Sequence, residues 1–429
     1  MKLYTMKKIK KFAIILIFTL NFFALPVVFG LSATSYDAGI IGFIETDPIW
    51  HGSEIEVSGD GNLLFLEEEG FFGYDNVSIY TIPDTYSGSI TPNWKKDLDG
   101  EYLHISDDGS RIAYADNTNN IFYYGMASSE APLYDFSVSD ADIVVMSDNG
   151  EHVGYNYEDV ALAKHLRFVS GDTPNVHWDE EIPDLLKFVV SNDGKVVCHL
   201  ANDTVLAYDS TGLIWSINDD GSEIDSVLDI AMSNNGDNIV MEVNNDSANQ
   251  VFVYDGEGSF LNNVSYDISI DQISATDSAI YISTLEISNP SQNRVYRYNT
   301  DLSEQIWEMA PLKAVSTMIP ADDDNVVLLE LNNNHLLAID GNNGDLIFDE
   351  APESSIVDLA LSNNGSRAAL LTLDDEIILY SIDIISNNGQ PGFLDDFLGT
   401  FTSLGGIAAL IASAALVFAI SAMIFRKRE

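Results

Sequence analysis

Ser106-Asp107-Asp108-Gly109, Ser147-Asp148-Asn149-Gly150, Ser191-Asn192-Asp193-Gly194, Ser233-Asn234-Asn235-Gly236 and Ser362-Asn363-Asn364-Gly365 are one motif written five times. A variant, Ser58-Gly59-Asp60-Gly61, precedes them. Two degenerate copies start at Ser274 and Pro320, with Asp277 and Asp323 in the glycine place. The starts lie at 58, 106, 147, 191, 233, 274, 320 and 362, spaced by 41 to 48 residues. Asp and Asn bond their own backbone and tolerate left-handed conformations, and Gly allows positive φ. Between two apolar runs such a tetrad makes a tight β-hairpin. The flanks agree: Ile230-Ala231-Met232 runs into one turn and Asn238-Ile239-Val240-Met241 runs out. Runs this short read as buried strands rather than helices.

A second signature follows most tetrads. Its clearest copy is Leu206-Ala207-Tyr208-Asp209, then Gly212 and Trp215. Others are Val253-Tyr254-Asp255 with Gly258, Val295-Tyr296-Arg297-Tyr298 with Trp307, and Leu337-Ala338-Ile339-Asp340 with Gly344 and Phe348. Each unit therefore reads strand, tight turn, strand, loop, strand, glycine turn, strand. A four-stranded antiparallel sheet of about 43 residues is the size of a propeller blade. The Tyr-Asp…Gly…Trp half resembles the repeats of pyrroloquinoline-quinone-like β-propellers. The Ser-Asp-Asp-Gly half resembles WD-repeat-like propellers of exported proteins. The resemblance covers roughly residues 38–385 and implies an architecture rather than an activity.

The fold expected is all-β: an eight-bladed β-propeller over residues 36–385, with seven blades and one irregular unit as the alternative. The unit that begins at Ser362 runs out of residues after strands at 367–373 and 376–384, and so lacks an outer strand. Residues Gly39–Ile44 precede the first unit and lack a sheet. Closing the ring with this N-terminal strand removes an exposed edge.

The chain has 429 residues and a formal net charge of −48. Residues 31–425 carry 11 basic and 66 acidic residues, a net of −55. Nucleic acid is excluded as a partner, because its binding rests on Lys and Arg neutralising phosphates. A single cysteine, Cys198, excludes an intramolecular disulfide and any cysteine metal cage. At 46% hydrophobic and 10% aromatic the chain is no disordered acidic tail.

The basic residues gather at the ends. Lys2, Lys7, Lys8, Lys10 and Lys11 precede an apolar run from Phe12 to Gly30, which reads as a signal peptide over residues 1–30. Residues 404–425 hold no charge and are followed by Arg426-Lys427-Arg428. At about 1.5 Å per residue they span roughly 33 Å, the bilayer hydrocarbon thickness. The positive-inside bias places the tail 426–429 in the cytoplasm. Residues 386–403 are a short tether containing Pro391 and Gly392. The expectation is a single-pass membrane protein with its propeller on the extracytoplasmic side. The lack of disulfides and the halophile-like charge fit an archaeal surface protein.

No metal-hydrolase helix motif, phosphate loop or dinucleotide fingerprint is present. The histidines at 51, 104, 152, 165, 177, 199 and 335 are scattered over several units. Cys198 reads as a small core residue. No catalytic or cofactor-binding residue is assigned, and no cofactor is expected. Calcium is the one ion the Asp-rich turns invite, at Asp219-Asp220-Gly221-Ser222-Glu223 and Asp322-Asp323-Asp324, though neither has EF-hand spacing. Glycosylation sequons occur at Asn76, Asn202, Asn245, Asn263 and Asn364. The function read from the sequence is a non-catalytic binding or scaffold module for a protein or glycan. The alternative is a propeller enzyme, quinoprotein-like or glycan-acting. The single cysteine cannot form the vicinal disulfide that some quinone enzymes place on their cofactor.

Overall fold

The computed structural model describes residues 35–385, apart from short segments between strands. The predicted leader 1–30, tether 386–403, membrane helix 404–425 and tail 426–429 lie outside the described residues. Among the described residues no helix is long and apolar enough to cross a membrane.

The strands form eight four-stranded sheets, one per predicted unit. Seven sheets use consecutive strands. The eighth runs from the first strand of the chain, Ser35–Glu45 (β1), to Glu376–Ile385, then Arg367–Thr372, then Ile356–Leu361. The N-terminal strand thus completes the last blade from outside, as the missing outer strand required. The first strands of successive blades approach one another all the way round, including the last against the first. The ring has eight blades, not seven.

The tetrad geometry follows from its chemistry. The first-place Ser hydroxyl donates to the third-place side chain: Ser106 to Asp108 at 2.8 Å, Ser147 to Asn149 at 2.8 Å and Ser362 to Asn364 at 2.9 Å. The same hydroxyl accepts the backbone N–H five residues on, from Arg111 at 2.9 Å and His152 at 3.0 Å. The third-place oxygen also caps the N–H two residues on, as Asp108 does for Ser110 at 2.8 Å. The fourth place needs glycine twice over. Its φ is +63° at Gly109 and +68° at Gly150, a region that penalises a Cβ. A Cβ on Gly150 would also meet Ser106 at 2.8 Å and Arg111 at 2.9 Å in the preceding blade.

The two degenerate copies are placed one or two residues late by the structure. The first-place residue of the sixth blade is Thr276, whose N–H bonds to Ala279 O at 2.9 Å across a shortened turn. In the seventh blade it is Ala321, bonded to Val326 O at 2.8 Å. The residue in the glycine place there is Asp324, at φ +56°, not Asp323. The Asp reaches polar groups of the sixth blade there. Its carboxylate accepts from Thr276 Oγ1 at 2.8 Å, Tyr281 OH at 2.9 Å, Arg297 at 3.1 Å and Ser278 Oγ.

The second signature ties several blades to the next. The indole N–H of Trp178 donates to Asp209 O at 2.8 Å, Trp215 to Gly256 O at 3.3 Å and Trp307 to Gly341 O at 2.7 Å. Phe348 stacks on Tyr380 at 5.5 Å between the last two blades. The core lies in layers between blades. The layer at the closure joins Ile41 and Ile44 of β1 to Leu371, Leu379, Leu64 and Leu66. Each such buried side chain contributes about 1.5–3 kcal/mol.

Candidate functional site: the two mouths of the channel

The first strand of each blade lines the channel, so the channel has two different ends. At the turn end, second-place residues of several tetrads converge, Asp107, Asp148 and Asp322 among them, and backbone bonds there link the blades. Asp107 N–H donates to Asp148 O at 2.6 Å, Asn192 N–H to Asn234 O at 2.6 Å, and Asp322 N–H to Asn363 O at 2.9 Å. Asn364 N–H reaches Gly59 O at 3.2 Å across the closure. Side chains add bridges: Asn149 N–H donates to Asn192 Oδ1 at 2.8 Å and Asn235 N–H to Asp277 Oδ1 at 2.8 Å. Asn363 Nδ2 donates to Asp322 at 2.5 Å and also to Asp107.

Three carboxylates, from the second, third and seventh blades, meet there. One oxygen each of the half-buried Asp107, Asp148 and Asp322 lies within 4.8 Å of the others. Burial, with Asp322, Glu56 and further carboxylates nearby, pushes Asp107 up to about 7. Burial, Asp322 and Asp107 push Asp148 up to about 8. Asp322 is raised as well, mainly by burial, although hydrogen bonds from Asn234 and Asn363 oppose the shift. A hard cation would bind these oxygens, but calcium takes six to eight oxygen ligands and three carboxylates are a thin shell. Shared protons neutralise such a group without any ion.

The calcium reading of Asp322-Asp323-Asp324 does not hold as a contiguous site. Asp322 faces the axis, Asp323 caps Asn325 N–H at 3.1 Å, and Asp324 is buried against Arg297. The segment Asp219–Glu223 lies outside the described residues.

At the other end, each first strand but that of the third blade is bulged. The register shifts at Gly52/Glu54, Glu101/His104, Leu185/Lys187, Val227/Asp229, Ile270/Gln272, Val315/Thr317 and Ile356/Asp358. A bulge leaves an extra residue unpaired and re-aims its side chain. Three of these extra residues are Leu186, Leu228 and Val357, exposed by 54%, 49% and 42%. On the neighbouring second-to-third strand loops, Leu162, Ile287 and Leu373 are exposed by 78%, 84% and 67%. Apolar side chains this open, collected on one face, are what a docking surface presents.

Among and just inside these side chains the mouth is acidic. Asp229 pairs with Lys187 at 2.7 Å. Asp358 caps Ile55 N–H at 2.7 Å and Glu56 caps Ile105 N–H at 2.6 Å, each reaching the next blade. Burial, Asp229 and Asp271 push Glu242 up to about 7, and burial raises Asp358, Glu330 and Asp271. The His104 imidazole beside Glu56 is pushed up to about 9: burial opposes its charge, but Glu56 and Glu54 outweigh it.

The other described histidines form no common centre. His152 and His177 both pack on Phe168, His165 pairs with Asp179, His199 is buried beside Lys187, and His335 pairs with Asp349. Cys198 is a fully buried core residue whose thiol burial pushes up. Sequence reading missed both mouths. The second-place residues looked like generic turn polars, and the run quoted into the fifth turn, Ile230-Ala231-Met232, stops short of Leu228.

These features define a class: an eight-bladed β-propeller of WD40-like fold. The chain is similar to the C-terminal WD40 domain of Sif2, at 13% identity and a TM-score of 0.57, over 82% of this chain and 97% of that one. It is similar to the computationally designed Ika8 protein, at 12% identity and 0.57, over 80% and 99%. It is similar also to the Chaetomium thermophilum Sqt1 bound to the N-terminus of the ribosomal protein L10, at 9% identity and 0.57, over 80% and 100%. No protein-family model and no curated protein matches the sequence.

Proposed function

We propose that this protein is a non-catalytic scaffold, exported and held on the membrane by residues 404–425, that engages a basic partner protein at the bulged mouth of its propeller. One observation carries the reading: exposed Leu186, Leu228 and Val357, on the fourth, fifth and eighth blades, stand at an entrance walled by carboxylates. Apolar anchors give affinity, and charge complementarity gives orientation and on-rate. The net charge of −48 extends the attraction for cationic partners beyond the mouth. Sqt1, a ring of similar fold, is described bound to the N-terminus of a ribosomal protein. That lends support to a chain terminus or loop as the occupant here. A glycan is the second ligand class for this face.

The test uses the full chain in detergent or nanodiscs. Fluorescence anisotropy compares labelled Lys/Arg-rich peptides carrying one Leu or Phe with acidic peptides of matched composition and with neutral oligosaccharides. The expected result is basic-peptide binding that weakens at least tenfold with Leu228→Asp and again in high salt. Binding that is indifferent to Leu186→Asp combined with Leu228→Asp would sink the reading. Topology is tested separately: protease added to intact cells should digest the body and spare the C-terminal segment. Full protection of residues 36–385, when the isolated chain is cleavable, would overturn export.

A further inference from the structure

We propose that Asn263, on the outer strand of the fifth blade, is an N-glycan acceptor whose glycan covers the free edge of that blade. The proposal rests on the export reading above. Three of the five sequon asparagines have described side chains: Asn202, Asn263 and Asn364. They differ in what their carboxamides do.

Asn364 is clamped. Its oxygen accepts from Ser362 Oγ at 2.9 Å and Ser366 N–H at 3.0 Å, and its nitrogen faces Asp60 O at 3.3 Å in the next blade. A sugar on that nitrogen would take one of its two hydrogens and crowd the Asp60 carbonyl that it faces across the closure. Asn202 uses only its oxygen, which accepts Thr204 N–H at 3.2 Å. Asn263 is exposed, and its carboxamide has no hydrogen-bond partner among the described residues.

The surroundings of Asn263 favour a cover. Its strand, Phe260–Tyr266, is the last of its sheet, with one side unpaired. Phe260 and Leu261 on that strand are exposed by 52% and 42%. The register sets Asn262 opposite Val253, the place that Trp215 and Trp307 fill in other blades. This blade therefore has no docking indole from its outer strand. An uncovered edge with apolar side chains invites strand addition by another chain.

In the transfer, Asn263 Nδ2 bonds to the anomeric carbon of a lipid-diphosphate-linked oligosaccharide. The anomeric carbon–oxygen bond breaks, the lipid diphosphate leaves with the electron pair, and the amide proton passes to a base of the transferase.

The experiment expresses the full chain in a eukaryotic secretory cell and maps glycopeptides by mass spectrometry, with external protease as the topology readout. We expect Asn263 occupied and Asn364 bare. Asn263→Gln should remove one endoglycosidase-sensitive step of gel mobility and increase aggregation of the purified chain. Exported chain with Asn263 bare, or with Asn364 occupied as fully as Asn263, overturns the proposal alone. Chain retained inside overturns the export reading and the proposal together.

Discussion

The two mouths of the channel are built from the same strands and obey different rules. At the turn end, repeated Ser, Asx and Gly side chains satisfy one another, and backbone bonds cross from blade to blade. At the bulged end, the equivalent positions are Ser53, Leu186, Leu228, Asp271, Ser316 and Val357, with no common chemistry. Repetition marks where the fold is held, and variation marks where side chains are free to differ. Substitutions should therefore cost stability at one end and binding at the other.

The largest effect should come from opening the ring. Deleting residues 36–46 removes β1 and, with it, Ile41 and Ile44 from the closure core. Together with an exposed edge this costs several kcal/mol, at about 1.5–3 kcal/mol for each buried side chain. The truncated chain should melt well below the parent or aggregate on purification. An unchanged melting temperature with no added aggregation would remove the closure argument.

Next comes a contrast between the ends. Asp324→Ala strips the largely buried Arg297, its side chain 12% exposed, of a buried carboxylate, a loss of up to about 3–5 kcal/mol, the range for a buried pair broken on one side. Leu228→Asp, at an exposed bulge, should shift stability by no more than about 0.5 kcal/mol. Paired denaturant melts check this. Equal destabilisation by the two variants would mean that the mouths do not divide the labour as described.

A smaller effect is a pH slope. Asp107, Asp148 and Glu242 have folded-state values of about 7, 8 and 7, above their ordinary 3.8, 3.8 and 4.5. Between those limits the folded chain holds more protons than the unfolded one, so stability falls as pH rises. The contribution is complete below about pH 4 and is lost as pH passes 7 to 8. Melting temperature should decline from pH 5 to pH 8.5, with a shallower decline in Asp148→Asn. A profile that rises over this range would contradict the clustering of carboxyls at the turn end.

The smallest effect concerns salt. The exposed charges repel, and screening length falls from about 10 Å at 0.1 M to about 3 Å at 1 M. Added NaCl should raise the melting temperature modestly. MgCl2 and CaCl2 should act alike, and at lower ionic strength than NaCl. A calcium-specific rise that follows mass action would instead identify the Asp107, Asp148 and Asp322 group as an ion site.

How far the sequence could be read follows from the same contrast. The tetrads announced the turns because three of their four places answer to local chemistry, and the WD-type half of the resemblance agrees with the solved structures of similar fold. The last blade's missing strand was legible as a count of pairing partners. In the sixth and seventh blades, Thr276 stands for Ser, the turn is shorter, and Asp324 adopts the glycine conformation, so the register read from Ser274 and Pro320 slipped. Asp107, Asp148 and Asp322 meet only because the ring brings blades two, three and seven together. No spacing in a single repeat encodes that. The bulges were hidden for a simpler reason. One unpaired residue within a strand leaves the apolar pattern nearly intact while turning Leu228 from the wall to the mouth.

Blade eight has a consequence in time. Its outer strand is made before the strands of the other seven blades and its remaining three after them, with Ile44 waiting for Leu379. At about 5–20 residues per second the interval is roughly 20–70 s. Throughout it the early strand has no partner from its own chain, while seven blades assemble behind it. Ring closure therefore waits for the last three strands to be made. It is also the moment at which two chains growing side by side could exchange first strands and finish as a pair.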